Sequence, residues 1–137
     1  MGALVDLRSR SESEKITINL GYVDLGQIDL LVEEGFYSNR TDFIRTAIRN
    51  QLDRYADTLR KSVKRKRLDL GLRLIDRKEL EEARRRGETI DIHVVGLAVI
   101  DQDVSIELAR NTIDSIHVLG ALQATSELKA ALKDRIH

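Results

Sequence analysis

The sequence has no cysteine, few aromatic residues and no long apolar run. Without cysteine there is no disulfide and no thiolate metal site. Aromatic residues make up 4% of the 137 residues and hydrophobic residues 42%, so a core must be built from Leu, Ile, Val and Ala. Because no stretch of about 18 apolar residues occurs, we expect no membrane-spanning helix and no membrane partner.

The N-terminal residues 1–14 also lack the apolar centre of a signal peptide. They are short and polar around three serines, and we expect a flexible arm in a cytoplasmic protein. The length suits one ordinary domain or two small ones.

The net charge is zero, but the two halves of the chain differ. Residues 1–67 hold 13 basic and 10 acidic residues, a net of +3, whereas residues 68–137 hold 10 and 13, a net of −3. The densest basic run lies within residues 60–67 and contains no acid. This distribution indicates a basic face that meets an anion and an acidic part with another role.

Residues 15–20, KITINL, alternate strictly between apolar and polar side chains. The apolar face carries Ile16, Ile18 and Leu20, and the polar face carries Lys15, Thr17 and Asn19. This pattern predicts a β-strand. A strand needs a pairing partner, yet the next pattern along the chain is helical.

Two amphipathic helices are predicted after this strand. The first has apolar residues at helical spacing over residues 25–32 and should end at Gly35. The second should begin after Asn39 as N-cap, with Asp42 three residues on, and continue to Tyr55.

The simplest source of the missing strand partner is a second copy of the chain related by a two-fold axis. The resulting two-stranded ribbon would expose Lys15, Thr17 and Asn19 of both copies, and such a ribbon fits the major groove of double-stranded DNA. Lys donates to guanine, Asn pairs with adenine and Thr touches the thymine methyl group. The start of the second helix, residues 39–41, offers N–H groups to a phosphate.

Residues 15 to about 55 resemble the ribbon-helix-helix domain of bacterial transcriptional regulators of the CopG/Arc/MetJ kind. The resemblance rests on KITINL, on the glycine at position 35 and on the helix opening SNRTDFIRTAIR. It implies base contacts by the outward strand residues and phosphate contacts at the start of the second helix. These roles transfer to Lys15, Thr17 and Asn19 for the bases and to Asn39, Arg40 and Thr41 for phosphate. Gly21 and Tyr22 depart from the family pattern and weaken the start of the first helix.

Residues 58–67 form a basic connector or an extension of the second helix. Its cations either add phosphate contacts or form a solvated helix end that complements the helix dipole.

Residues 68–137 contain a weak internal repeat. Gly71, Gly96 and Gly120 lie 25 and 24 residues apart, each inside a strand-like run that a helical segment follows. The first of these helices has Asp76 as N-cap with Glu79 completing a capping box, and it should stop at Gly87. The other two should begin near residues 105 and 126. A strand–helix unit repeated three times predicts parallel strands stacked as a short solenoid; the alternative is a small α/β domain with accidental similarities.

The predicted fold class is therefore α+β. A ribbon-helix-helix domain at residues 15–57 precedes a strand–helix repeat module at residues 68–137, with the arm and the connector outside them.

No catalytic, metal or cofactor site is predicted. His93 and His117 occupy equivalent places in two repeats and would be ladder neighbours, but no acid or thiol accompanies them at ligand spacing. Asp101 and Asp103 are more typical of a turn than of a catalytic pair. Neither a phosphate loop nor a nucleophile elbow occurs, and we do not expect an enzyme.

Two functions fit this organisation. The first is a sequence-specific transcriptional regulator, a repressor, that acts as a dimer or higher oligomer and joins the nucleoid when bound to DNA. The second is an antitoxin-like protein that binds a protein partner through residues 68–137 and represses its own operon through the ribbon. Antitoxins of this fold usually carry a short, disordered tail that folds when it binds the protein partner. Residues 90–132, by contrast, are apolar and patterned.

Overall fold

The computed structural model describes residues 13–137, which fall into two compact units, residues 13–62 and 63–137. Residues 1–12, most of the predicted arm, lie outside the described part of the chain. None of the helices in residues 13–137 combines the length and the apolar character needed to cross a membrane.

The first unit is helical. Helix α1 spans Tyr22–Glu33 and helix α2 spans Arg40–Arg54. After one non-helical residue, Tyr55, helix α3 continues over Ala56–Arg65 and includes the boundary between the units. The second predicted helix thus does run into the basic segment, with a single interruption. Residues 15–20 pair with no strand within residues 13–137, so the ribbon stays a prediction.

The turn between α1 and α2 follows the predicted signals. Gly35 has a φ of 86°, in the left-handed region that favours glycine. The N–H of Gly35 donates to the carbonyl of Val32 and the N–H of Phe36 to that of Leu31, both at 3.0 Å. These two bonds close the end of the helix in a Schellman motif. At the other side of the turn, Oδ1 of Asn39 accepts the N–H of Asp42 at 2.8 Å, which confirms the predicted N-cap.

The second unit is built on a parallel three-stranded sheet in the order β1-β2-β3. Its strands are β1 Asp69–Ile75, β2 Ile90–Ile100 and β3 Ile113–Gln123. Helices α4 Arg77–Arg85, α5 Ile106–Thr112 and α6 Ser126–Ala131 follow the three strands in turn, and a short 3-10 helix, Lys133–Arg135, comes last. The mixed α and β architecture agrees with the predicted fold class. That the unit is a short solenoid stays a prediction.

The three repeat glycines form a row across this sheet. Gly71 is in register with Gly96, and Gly96 with Gly120. Their φ angles of 117°, 137° and 122° belong to a region that is essentially restricted to glycine. A Cβ on Gly96 would lie 2.2 Å from the carbonyl oxygen of Gly71, and one on Gly120 would lie 2.1 Å from that of Gly96. The spacing of 25 and 24 residues therefore has a structural cause, because the same positive-φ backbone conformation occurs at in-register positions of the three strands.

The core lies between one face of the sheet and the three helices. It is aliphatic, as the composition predicted, and its large, fully buried side chains are Ile75, Leu80, Ile92, Val94, Ile100, Ile113, Ile116, Leu128 and Leu132. On β2 the core positions alternate, with residues 92, 94, 98 and 100 facing the helices. Burial of each Leu or Ile side chain contributes roughly 1.5–3 kcal/mol, and this face holds the module together.

Helix α4 departs from its prediction in one detail. Asp76 is its N-cap and accepts the N–H of Glu79 at 2.8 Å, and Gly87, with a φ of 67°, ends it. The predicted capping box is wrong, because the Glu79 carboxylate binds the guanidinium of Arg73 instead of the helix start. These hydrogen bonds raise the pKa of Arg73. Helices α5 and α6 are capped by Ser105 and Thr125.

Candidate nucleic-acid interface

The segment KITINL is exposed on both of its faces. Lys15, Thr17 and Asn19 are exposed, as expected for side chains that meet a ligand. The apolar residues between them are exposed too, with Ile16 at 72% and Ile18 at 58% of full accessibility. Apolar side chains that alternate with polar ones along a strand normally cover a core. Within the described residues 13–137, these apolar side chains are left without such a core.

An open apolar cleft lies beside this segment in the first unit. It measures about 360 Å³. Its wall is formed by Ile18, Leu20, Asp24, Gln27, Ile28, Phe43, Ile44, Ala47 and Ile48. The wall thus combines the apolar face of the segment with the facing sides of α1 and α2. Among the described residues of this unit only Ile28 is buried, at 6% exposure, so the unit lacks a core of its own.

The start of α2 offers backbone donors. Asn39 uses its side chain to cap the helix, and the Asp42 carboxylate accepts the N–H of Ser38 at 2.9 Å. Within residues 13–137, the N–H groups of Arg40 and Thr41 make no hydrogen bond. Two free N–H groups at a helix N-terminus, where the helix dipole is positive, favour an anion such as a phosphate.

The side chain of Arg40 is engaged within the chain. Its Nε and Nη2 donate to the two carboxylate oxygens of Asp29, each at 2.8 Å, and so connect α2 to α1. These hydrogen bonds lower the pKa of the Asp29 carboxyl and raise that of the Arg40 guanidinium. Both side chains are about half exposed, at 51% and 55%, so the ion pair can open at modest cost. No sequence pattern predicts this contact, because Asp29 and Arg40 lie on two different helices on either side of a turn.

The basic connector is solvated. Its six cations, Arg60, Lys61, Lys64, Arg65, Lys66 and Arg67, are all exposed. Within the described chain only Arg60 forms an ion pair, with Asp57 at 2.9 Å. Arg67 has a φ of 55° and ends α3 in the position that glycine usually takes. Its two predicted roles, phosphate contacts and a solvated helix end, stay predictions.

His93 and His117 of the second unit are ladder neighbours, as predicted. His93 is in register with His117, and their ring centroids lie 6.3 Å apart. The Ser115 hydroxyl donates to Asp91 at 2.8 Å, and Nε2 of His93 lies 3.2 Å from the same hydroxyl oxygen. Within residues 13–137 no group of three or more His, Cys, Asp or Glu residues could hold a metal ion.

This Asp–Ser–His chain is in the wrong order for nucleophilic catalysis. In a hydrolase the imidazole lies between the carboxylate and the hydroxyl, where it removes the hydroxyl proton. Here the hydroxyl of Ser115 lies in the middle and donates its hydrogen bond to Asp91, so the hydroxyl hydrogen is directed at Asp91 and not at His93. Sequence reasoning missed the contact, although the 24-residue spacing that relates the two histidines also relates positions 91 and 115.

Comparison with known families gives one match. The model of the ribbon-helix-helix transcriptional regulator family matches residues 11–129. The match includes KITINL and both of the helices that line the cleft, and it extends through the three strands into α6. The module at residues 68–137, which resembled no family by sequence reasoning, is thus largely within the matched range. Comparisons with curated proteins and with solved structures found no match.

Proposed function

The chain belongs to the ribbon-helix-helix transcriptional regulator family, and from this premise we propose that it is a sequence-specific DNA-binding repressor that acts as a homodimer. Two copies of KITINL pair as an antiparallel ribbon, and the ribbon enters the major groove of double-stranded DNA. The protein works in a bacterial cytoplasm and joins the nucleoid when bound. The domain that does this spans residues 15–57.

The observation that carries the proposal is the open cleft next to an exposed segment that pairs with no strand within residues 13–137. Ile18 and Leu20 line one side of the cleft, and α1 and α2 line the other. A second copy brings an equivalent strand and pair of helices, and a two-fold axis lets each copy fill the cleft of the other. This arrangement buries the apolar side chains of the ribbon and turns its polar side chains outward.

Three outward side chains on each strand read the bases. Lys15 donates to O6 and N7 of guanine, Asn19 pairs with N6 and N7 of adenine, and Thr17 contacts a thymine methyl group. The two-fold axis repeats these contacts on both halves of a palindromic operator. Sequence preference therefore depends on the ribbon.

The start of α2 positions the dimer on the DNA backbone. The free N–H groups of Arg40 and Thr41 donate to a phosphate oxygen, and Asn39 keeps them oriented by capping the helix. The Arg40 guanidinium can reach the phosphate only if its ion pair with Asp29 opens. We therefore assign the phosphate contact of Arg40 to its backbone N–H rather than to its side chain. These contacts add affinity for every sequence alike.

The repressor hypothesis is better supported than the antitoxin-like alternative. An antitoxin-like chain of this kind would carry a short tail that orders on its protein partner. In residues 68–137 a parallel sheet and three helices surround an aliphatic core without a partner. A module that is already folded supports a role in assembly, as a short strand–helix solenoid. It gives less support to a tail that folds only on binding a partner.

The test begins with selection of bound fragments from a random DNA pool, followed by binding titrations of variants. Asn19→Ala should weaken binding to the selected site by about 1–3 kcal/mol and relax preference for the base that it contacts. Binding to random DNA should change little.

Asn111→Ala is the matched control, because Asn111 is an exposed asparagine at the end of α5 in the second unit. It should leave both affinities unchanged. If Asn19→Ala weakened binding to selected and to random DNA equally, the ribbon would not be the part that recognises the bases.

A further inference from the structure

The sheet of the second unit has a second apolar face, opposite its core. Two in-register rows form it: Leu70, Val95 and Leu119 in one row, and Leu72, Leu97 and Ala121 in the next. We call these six residues the leucine face. None of them belongs to the core beneath α4, α5 and α6.

The leucine face is open to solvent at both outer strands. Leu70 is 75% exposed, Leu72 58% and Leu119 50%. The opening is local, because in the following row, towards the strand ends, Leu74 is half-buried and Val99 is buried. Parallel sheets are nearly always covered on both faces, and a contiguous exposed apolar patch marks an interaction surface.

The chemistry of the leucine face suits a second copy of itself. All six side chains are aliphatic, so no charge meets a like charge when two such faces pack about a two-fold axis. The outer edge of β3 is a weaker candidate. At that edge Ile136 forms a parallel bridge to Ile116, and the N–H of His137 donates to the carbonyl of Ile116 at 2.8 Å.

The small area of the leucine face favours a partner that is already held in the same dimer over a separate protein that binds from solution. Three strands about 4.8 Å apart and two rows about 6.6 Å apart define it. This is much smaller than the ~800 Å² per partner that a stable interface between free proteins usually buries. A partner that is already held nearby needs far less area, because its effective concentration reaches the millimolar range. The second chain of the ribbon dimer is such a partner.

We propose that the leucine face of one protomer packs against the leucine face of its partner within the ribbon-held dimer. The inference rests on the proposed homodimer and adds a second point of contact to it. With both contacts formed, the two chains are joined at the ribbon and at the sheets. The spacing of the two halves of the dimer is then restricted, which favours one half-site separation on DNA.

The absence of cysteine from the chain permits a direct test on the full-length protein. Leu119→Cys puts one thiol on the leucine face of each protomer, and a short bis-maleimide then reports whether two such faces meet. Glu107→Cys is the control, with an exposed thiol on α5. We expect a covalent dimer with Leu119→Cys in roughly tenfold higher yield than with Glu107→Cys. The yield should not change when the protein is diluted tenfold, because the two thiols are in one dimer.

Leu70→Cys, on the most exposed residue of the face, repeats the test at the other outer strand in case one substitution disturbs the fold. Sedimentation of the untreated variants separates the possible failures. A dimer mass without cross-linking at either position overturns this inference and leaves the proposed ribbon dimer intact. A monomer mass overturns both.

Two further outcomes also count against the proposal. A yield that falls on dilution, or a cross-linked tetramer, would assign the face to contacts between dimers. Cross-linking that is absent in the full chain and present after residues 1–12 are removed would assign the face to the chain's own N-terminal segment.

Discussion

The two units of this chain differ in how much of their apolar surface one copy can bury. Of the sixteen buried hydrophobic residues in the described part of the chain, fifteen lie in residues 63–137 and only Ile28 lies in residues 13–62. The large exposed hydrophobic residues show the reverse, with eleven of sixteen in the first unit. Burial of apolar surface is the main favourable term in folding, so the second unit is complete as a single chain and the first is not.

This difference leads us to expect different behaviour from the two units. We expect the second unit to hold its fold whether or not DNA or a partner is present. We expect the first unit to gain its core by association, so that its folding and its dimerisation are one event. The ribbon proposed above would then exist only in the dimer, and operator binding would depend on protein concentration.

The largest expected effect is on the row of glycines in the second unit. Gly96→Ala places a Cβ about 2.2 Å from the Gly71 carbonyl oxygen and also puts alanine at a φ of 137°. We expect loss of the folded second unit, measured by thermal unfolding and by limited proteolysis of residues 63–137.

Gly71→Ala is the matched control. Its φ of 117° carries a similar strain, about 1–3 kcal/mol, but a Cβ there meets no atom within 4 Å. The difference between the two variants isolates the close approach of the strands. Equal destabilisation would mean that backbone strain alone governs this row.

The next effect concerns the ribbon. Ile18→Ala removes an apolar side chain that lines the cleft, and it should destabilise the dimer by roughly 1.5–3 kcal/mol per chain if the partner buries that side chain. In the unaltered protein, the unfolding midpoint of the first unit should rise with protein concentration, and Ile18→Ala should lower it at every concentration.

Thr17→Ala, on the opposite face of the same segment, should leave that midpoint nearly unchanged while it alters DNA binding. A concentration-independent midpoint together with a monomer mass would contradict the dimer.

The smallest expected effect is on the ion pair between α1 and α2. The hydrogen bonds from Arg40 hold the pKa of Asp29 below its ordinary value near 3.8, so the folded state favours the ionised carboxylate. The stabilisation is fully present above that ordinary value and is lost as the pH falls through the lowered pKa. It should be small, because both side chains are exposed.

Asp29→Asn should remove this acid dependence from the first unit and leave its stability at neutral pH almost unchanged. An NMR titration of the Asp29 carboxyl measures the shift directly. A pKa at or above 3.8 would show that the ion pair does not persist in solution.

Much of the local structure was predictable, because it depends on residues close in the chain. Gly35 and Gly87 end helices, and Asn39, Asp76 and Ser105 begin them, since caps use side chains within three or four residues of the groups that they bind. The equivalent places of His93 and His117 in two repeats predicted that they are ladder neighbours, and they are in register. This long-range pairing was predictable because the two strands repeat the same sequence pattern.

Contacts between side chains of different elements were not predictable in this way. Glu79 satisfies the predicted capping pattern, yet its carboxylate binds Arg73 on the preceding strand β1, where a guanidinium gives a stronger, charge-assisted hydrogen bond than a backbone N–H. The pairing of Arg40 with Asp29 has no periodicity that marks it. A choice between two possible partners depends on which one the fold brings within reach.

The sequence by itself determined the helices, the three strands of the second unit, most helix ends and the aliphatic core, because propensity, capping and periodicity act over a few residues. Only the tertiary structure decided which acids pair with which cations, that Ser115 lies between Asp91 and His93, and that the leucine face is left open beside a complete core. These features depend on distances between side chains that are far apart along the chain, and packing alone sets those distances.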